Sequence, residues 1–272
     1  MMSPFLAKTH GVFVSMQNGI NDQRLAKAAG GPERCIGAVV TAAAGCFEAG
    51  VVERWDSNPQ CYCFGELDGL DTLRIQELKS LFDLAGVGGA KTTTNLWGAR
   101  WSKLALNCFI NVTAGITGFS SQAVRTSSST VPVGAMLASE AVRVGLALNI
   151  QVEPLMGIEP GFILDAAEGK GIQDLVTALR QQAKWNTNGK ASFLQDVLKG
   201  RRTEIEYLNG HVIEMGIKAG VRTPFCEAAV KWVMAQGERF EPAEANLEGV
   251  ATFLNQQDRR KLDELTAQVK SC

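Results

Sequence analysis

The sequence has few of the residues that mark metal-binding and secreted proteins. Among its 272 residues there are only two histidines, and its seven cysteines are odd in number and irregularly spaced. A zinc site needs four suitably spaced ligands, and a disulfide framework usually has an even cysteine count. The sequence therefore predicts no metal site and no disulfide scaffold, and it favours free thiols in a reducing cytoplasm.

Long uninterrupted apolar runs and a strong net charge are also lacking. The most apolar segments are broken by Lys103 and Asn107, or by Glu140 and Arg143, so no membrane span and no membrane partner are predicted. A net charge of −1 gives no general attraction to nucleic acid. With 46% apolar and 20% charged residues, the composition is that of a globular protein with one large domain or two modest ones.

A further absence is the glycine-rich phosphate motif of dinucleotide-binding domains. No G-x-G-x-x-G follows a strand and opens a helix, and the nearest glycine cluster, Gly86–Gly89, follows a helix with the wrong spacing. By itself the sequence predicts no complete dinucleotide-binding unit.

The first ninety or so residues have the pattern of a mixed α/β fold. Short apolar runs bounded by turn residues predict strands, and apolar residues at helical spacing predict two helices. The predicted strands are Gly11–Ser15, Cys35–Ala44 and a hairpin of Val51–Asp56 with Gln60–Gly65; the predicted helices are Asp22–Ala29 and Asp71–Ala85.

From Asn95 onward the pattern is almost entirely helical. The predicted helices are Trp97–Gly118, Val131–Asn149, Ile172–Trp185, Glu204–Ala219, Glu227–Met234 and Gln256–Val269. We therefore predict an α/β domain over residues 1–92 and an all-helical domain over residues 93–272.

Three polar residues share one stripe of the first long helix in this second half. Lys103, Asn107 and Asn111 are spaced four apart, which keeps them on one face at about 100° per residue. A solvated polar face would explain the stripe, but paired amides among Cys, Phe and Trp are unusual because Asn is a poor helix former. We favour a binding stripe, in which a partly desolvated lysine donates a proton and the amides bind a polar substrate.

Other candidate site residues are less distinctive. Glu204 has two interpretations: a first-turn acid that favours the helix dipole, or a carboxylate beside Lys103 or on a ligand hydroxyl. Asn18 ends a predicted strand, where ligands collect in α/β folds, although a turn asparagine needs no functional reason. Ser192 lies in a polar segment, and nothing in the residues around it points to a functional role.

In order along the chain, five segments resemble the ketopantoate reductase family. They are SMQNG (Ser15–Gly19), WSKLALNCFIN (Trp101–Asn111) followed by Thr113-Ala114, SFLQD (Ser192–Asp196), RTEIEYLNG (Arg202–Gly210) and GVRTP (Gly220–Pro224). The resemblance implies a partial Rossmann-type nucleotide-binding domain and a helical C-terminal domain similar to that of 6-phosphogluconate dehydrogenase. It also implies NADPH-dependent reduction of 2-dehydropantoate to pantoate in pantothenate biosynthesis.

The same resemblance implies the role of each candidate residue. Lys103 is the expected general acid. Asn107, Asn111 and Ser192 are expected to bind the hydroxyl and the carboxylate of the substrate. Asn18, Glu204 and the backbone of Ala43 are expected to contact the cofactor.

The sequence departs from the family at its beginning, and at Val112 where the family often has proline. The family's first strand, glycine-rich turn and helix are not found, so we expect the chain to start late in the nucleotide domain. One hypothesis is an active reductase whose front lies upstream; another is a non-catalytic remnant acting as a helical dimerisation or regulatory module, with a homodimer as the expected assembly. A third is a reductase of another branched 2-keto acid.

Overall fold

The structure is a computed structural model that describes residues 11–86, 88–184, 189–237 and 239–271. The chain forms two compact units. The sheet unit contains the described residues up to Ala42 and the segment Asn58–Arg100, and the helical unit contains Ala43–Ser57 and the described residues from Trp101 onward. The predicted boundary between residues 92 and 93 remains a prediction.

The described residues contain six strands. They are β1 (Phe13–Ser15), β2 (Cys35–Val40), β3 (Ala44–Glu48), β4 (Val51–Arg54), β5 (Gln60–Glu66) and β6 (Gly89–Thr92). The sheet unit has the strand order β1-β2-β5-β6. Strands β1 and β2 are parallel, β5 is antiparallel to β2, and β6 is parallel to β5.

Twelve α-helices lie in the described residues. They are α1 (Asp22–Ala29), α2 (Leu73–Ala85), α3 (Leu96–Thr117), α4 (Ser121–Thr126), α5 (Thr130–Ala147), α6 (Pro160–Ala167), α7 (Ile172–Ala183), α8 (Ser192–Leu198), α9 (Asn209–Ala219), α10 (Pro224–Gln236), α11 (Asn246–Ala251) and α12 (Gln256–Lys270). A mixed sheet followed by helices confirms the predicted α/β plus all-α fold class.

The core of the sheet unit is small and built from the runs that predicted its strands. Ile36, Phe64 and Ile75 are almost completely buried together, and they join β2, β5 and α2. The Phe82 ring packs edge-on against Phe64 with their centroids 4.9 Å apart. Because each large aliphatic side chain contributes roughly 1.5–3 kcal/mol when fully buried, this cluster holds α2 on the sheet.

The predicted hairpin of Val51–Asp56 with Gln60–Gly65 is wrong. Strand β4 pairs with β3 instead, across a two-residue turn at Ala49 and Gly50, where Glu48 faces Val51. Gly50 has φ 81°, which glycine adopts without strain and which suits a tight hairpin turn. The predicted strand Cys35–Ala44 is shorter in the structure, because β2 ends at Val40 and Ala44 is the first residue of β3.

The new hairpin β3–β4 packs within the helical unit. The Gln195 side chain donates to the carbonyl of Ala44 over 3.0 Å, and the Lys199 ammonium donates to the carbonyl of Cys46 over 2.9 Å. Sequence alternation cannot show which partner a short strand finds, so this pairing was not predictable.

The long helices of the helical unit begin and end close to their predicted bounds, with one exception. The helix predicted from Glu204 begins at Asn209, because residues 204–208 form a turn in which Tyr207 and Leu208 donate to the carbonyl of Glu204. Short helices were missed. They are α4, α6, α8 and α11, each of six to eight residues, where the sequence predicted breaks or made no assignment.

Helix α5 is the centre of the helical unit. It reaches the length and mean hydropathy of a membrane span, which was not expected from the sequence, but 83% of the segment is buried inside the protein. Gly134 on α5 lies against the ring of Phe109 on α3, and a Cβ there would overlap the ring. Helix α5 is therefore a core helix that packs closely against α3.

Candidate functional site

The polar stripe of α3 is not a solvated surface. Asn107 is 1% exposed and Asn111 is 9% exposed, while Lys103 is partly buried. Buried side-chain amides are costly unless they are hydrogen-bonded, so a stripe of this kind needs fixed partners. The interpretation as a solvated face is therefore excluded.

A chain of hydrogen bonds joins the stripe to two other segments. The Asn111 Nδ2 donates to Asn107 Oδ1 over 3.3 Å and to Ser192 Oγ over 3.0 Å. Ser192 Oγ in turn donates to Glu204 Oε1 over 2.9 Å. Four of the predicted site residues thus form one connected polar network, which the low local dielectric strengthens.

Ser192 reaches the stripe because of a close packing contact beside it. Gly115 lies one turn after Asn111 on α3, and the ring of Phe193 rests directly against it. A Cβ at position 115 would overlap that ring, and Phe193 is fully buried. The Gly115–Phe193 contact therefore places the first residue of α8 opposite Asn111.

Glu204 is positioned by a turn and not by a helix. Since α9 begins at Asn209, Glu204 is not a first-turn acid, and the helix-dipole interpretation is wrong. Its carboxylate accepts a hydrogen bond from Ser192, and its negative charge raises the pKa of Lys103. The interpretation of Glu204 as a carboxylate beside Lys103 accounts for these contacts.

Lys103 has a strongly perturbed acidity. Burial, the largest cause, and the positive charge of Arg125 together lower the pKa of its ammonium to about 8, and the negative charge of Glu204 offsets part of this shift. A lysine with a pKa near 8 is mostly protonated at neutral pH and gives up its proton more readily than a solvated lysine. This is the acidity that a general acid needs.

Arg125 is a charged neighbour of Lys103 that sequence reasoning missed. It lies on the short helix α4 and is only 5% exposed. The sequence around it, SQAVRTSSST, is polar and rich in Ser and Thr, so nothing there indicates burial. Only the packed structure shows that a second cation lies near the stripe.

Asn18 and Ala43 come earlier in the chain, each next to a strand. Asn18 lies in the sheet unit, in the turn between β1 and α1. The backbone N–H of Ala43 donates to Asp56 Oδ2 over 2.5 Å, and its carbonyl accepts from Trp55 over 2.8 Å. Both backbone groups of Ala43 are therefore engaged by its own hairpin, and its contact with a cofactor remains a prediction.

The turn after β1 is a strand-end turn of the kind that meets ligands, but α1 begins with Asp22, a buried acid paired with Arg100. The first turn of this helix is therefore occupied by an internal ion pair. Within the described ranges we find no glycine-rich turn for a pyrophosphate, and no cluster of three or more His, Cys, Asp or Glu that could hold a metal.

Comparison with known proteins identifies the family. Residues 95–236, just over half of the chain, match the family model described as "Ketopantoate reductase PanE/ApbA C terminal". The chain belongs to the ketopantoate reductase family. The matched segment contains α3, the polar network and Arg125, so the candidate site lies inside the part that defines the family.

A curated relative supports the same family. The chain is 28% identical over 212 residues to 2-dehydropantoate 2-reductase of Pyrococcus horikoshii, an alignment that covers 78% of this chain and 62% of the relative. The chain thus spans less than two thirds of the length of that ketopantoate reductase family member.

Solved structures show the fold. A 2-dehydropantoate 2-reductase from Geobacter metallireducens GS-15 has a TM-score of 0.67 at 22% identity, over 91% of this chain and 71% of that one. D-mandelate dehydrogenase in its ternary structure with NADH and anilino(oxo)acetate also has a TM-score of 0.67, at 19% identity, over 91% and 72% of the two chains. The chain therefore has the family's Rossmann-like sheet and helical C-terminal domain.

Proposed function

We propose that this chain provides the keto-acid site of an NADPH-dependent 2-dehydropantoate 2-reductase, which reduces 2-dehydropantoate or a related branched 2-keto acid to the hydroxy acid. The observation that supports this proposal is the half-buried Lys103, with a pKa of about 8, beside the network of Asn107, Asn111, Ser192 and Glu204. The family relationship supports the choice of substrate.

Lys103 acts as the general acid in this proposal. When reduction places negative charge on the carbonyl oxygen of the substrate, the Lys103 ammonium stabilises that oxygen and donates a proton to it. Glu204 keeps Lys103 protonated at neutral pH by offsetting part of the burial cost. Positioned acids of this kind contribute about 10²–10⁴-fold to a rate.

The neutral polar groups bind and orient the substrate. Asn107, Asn111 and Ser192 already hold one another through hydrogen bonds, so little side-chain entropy is lost when they bind a hydroxyl or a carbonyl. When bound, reduced NADPH supplies the hydride. In this proposal Asn18, Ala43 and Glu204 contact that cofactor.

A second candidate function is a catalytically impaired chain that serves as a helical dimerisation or regulatory module in the cytoplasm. The missing pyrophosphate site among the described residues favours it. Titration of the chain with NADPH, followed by nucleotide fluorescence, separates the two candidates. Binding in the micromolar range rules out a purely structural role, and light scattering reports whether the chain is the expected homodimer.

The proposed reaction is tested by NADPH oxidation in the presence of 2-dehydropantoate, with the wild-type chain and with Lys103→Met. We expect the variant to lose about 10²–10⁴-fold in kcat while it keeps its fold, because methionine resembles the unbranched stem of lysine but has no ammonium group. The matched control is Lys261→Met on α12, which removes a lysine outside the network.

An unchanged kcat in Lys103→Met would contradict the role of Lys103. An inactive wild-type chain that still binds the keto acid in calorimetry supports the substrate site and points to the second candidate function. An inactive chain that binds neither the keto acid nor NADPH overturns the proposed function.

A further inference from the structure

Arg125 is a buried cation that has no counter-ion among the described residues. Its Nη1 donates to the carbonyl of Ser121 over 2.7 Å, and its Nη2 contacts only the Met156 thioether at 3.9 Å. Its Nε has no hydrogen-bond partner, and no salt bridge within the described part of the chain involves Arg125. Sulfur is a weak acceptor, so the charged end of this side chain is poorly satisfied.

The burial of this charge also changes the pKa of Arg125. Burial alone lowers the pKa of Arg125 to about 10, with no carboxylate offsetting it. A buried charge is normally paired or neutralised by a ligand. The hydrogen bond to the Ser121 carbonyl, at the start of α4, does not neutralise this charge.

Lys103 and Arg125 are close enough to repel each other. The charge of Arg125 lowers the pKa of Lys103, and Glu204 is the one acid that acts on Lys103 in the opposite direction. Glu204 acts on Lys103, whereas no carboxylate acts on Arg125, so the positive charge of Arg125 is in excess. That excess matches a ligand carrying a single negative charge.

The shape of a 2-keto acid matches this pair. Its carbonyl oxygen and its carboxylate sit on adjacent carbons, so the two groups that bind them must also be neighbours. A lysine suits the carbonyl oxygen because it can give up a proton, and an arginine suits the carboxylate because its planar fork stays charged and donates two parallel hydrogen bonds.

The Met156 side chain can make way for such a ligand. Met156 is 47% exposed and lies in a turn whose backbone is held by the Leu155–Ile158 bridge and by Gln182, which donates to the carbonyl of Met156 over 3.0 Å. Its long, unbranched side chain has three rotatable bonds and is easily displaced. The terminal Nη2 of Arg125 would then be open to an anion from this side.

We propose that Arg125 binds the substrate carboxylate, taking the place of the Met156 thioether with an anionic oxygen, and thereby makes the site specific for 2-keto acids over neutral ketones and keto amides. This inference rests on the proposed function, because it assigns the acid group of the same substrate. Arg125 then adds a positive charge to the hydrogen bonds by which Asn107, Asn111 and Ser192 are expected to bind the hydroxyl and the carboxylate.

The test compares binding of an acid with binding of its neutral isostere. Isothermal titration calorimetry with the full chain measures the affinity for 2-oxo-3-methylbutanoate and for its amide. The wild type should prefer the acid by at least tenfold. Arg125→Met should lose about 10–100-fold in affinity for the acid, as expected for charged hydrogen bonds, and little for the amide. The control Arg180→Met, on the exposed face of α7, should behave as the wild type.

The outcomes separate this inference from the proposed function. If the wild type binds the acid but Arg125→Met keeps the full acid-over-amide preference, the role of Arg125 is wrong while the proposed function stands. If the wild type binds neither compound, the proposed function fails. If Arg125→Met does not fold, Arg125→Lys decides: a several-fold loss for the acid alone supports the role, and no loss, or equal losses for both compounds, overturns it.

Discussion

The two compact units each bury an arginine, and they treat its charge differently. In the sheet unit, Arg100 forms a salt bridge with Asp22 and donates to Ser15 Oγ over 2.9 Å, to the Ser15 carbonyl over 2.7 Å and to the Gln17 carbonyl over 3.0 Å. In the helical unit, the guanidinium of Arg125 donates to one backbone carbonyl and contacts one thioether. Both arginines leave Nε without a partner, so the difference lies in the counter-ion.

The contrast separates a structural charge from a functional one. Arg100 joins α3 to the end of β1, and its charge is neutralised within the protein. The charge of Arg125 is not neutralised, and it lies near the other buried cation, Lys103. A buried ion pair fixes a local structure, whereas an uncompensated buried ion costs several kcal/mol unless a ligand neutralises it.

Replacing each arginine by methionine tests this contrast, and here we expect the largest change in the free energy of unfolding. Arg100→Met leaves Asp22 buried without a partner, so we expect the free energy of unfolding to fall by about 3–5 kcal/mol. Arg125→Met leaves no orphaned carboxylate and removes an uncompensated buried charge, so the free energy of unfolding should stay the same or rise by about 1–4 kcal/mol. Urea unfolding followed by circular dichroism measures both. Equal losses in the two variants would show that Arg125 is as structural as Arg100.

A second prediction concerns a buried acid in the helical unit. Glu140 accepts from the backbone N–H groups of Phe225 and Cys226, at the start of α10, over 2.8 Å each. Burial raises its pKa to about 7. The folded state therefore holds a proton that the unfolded state has lost between about pH 4.5 and 7, and stability should fall over that range by about 3 kcal/mol.

Urea unfolding of the wild type and of Glu140→Gln, at pH 4.5 and at pH 7.5, measures this effect. The variant cannot ionise, so its stability should change much less between the two values. The same pH dependence in both proteins would contradict the assignment to Glu140.

A third prediction concerns the contact that places Ser192. Gly115→Ala puts a methyl group into the Phe193 ring, and we expect about 1–3 kcal/mol of destabilisation from overpacking. The shift of α8 should also lower affinity for the keto acid. Gly161→Ala is the matched control, because a Cβ there meets no neighbouring atom. Thermal unfolding and calorimetry report the two effects, and equal behaviour of the two variants would argue against the packing role.

A last prediction concerns how kcat/KM depends on pH through the protonation of Lys103, and here we expect the smallest effect. A general acid with a pKa of about 8 is deprotonated above that value, so kcat/KM should fall about tenfold per pH unit above pH 8. Arg125→Met removes one charge that lowers this pKa, while Glu204 and the burial remain, so the alkaline limb should move to higher pH. A limb that does not move would mean that Arg125 does not act on Lys103.

Much of the fold could be predicted because its signals are local. Helices such as α1 and α12 have apolar residues at helical spacing, and α1 begins and ends where the sequence predicted. The pairing of β4 was not predictable, since a short exposed strand carries no information about its partner. The start of α9 was misplaced because the apolar residues Ile205 and Leu208 are buried in a turn as they would be in a helix.

The stripe of Lys103, Asn107 and Asn111 could be predicted from the sequence, because a fixed helical period places residues four apart on one face. The tertiary structure decided what surrounds that stripe. Ser192 contacts the stripe because the Phe193 ring packs against Gly115, and Glu204 binds Ser192 from the turn before α9. The charge of Arg125 acts on Lys103 because α4 buries this arginine. These contacts join residues far apart in the chain, and their charges act through a low dielectric that only packing creates.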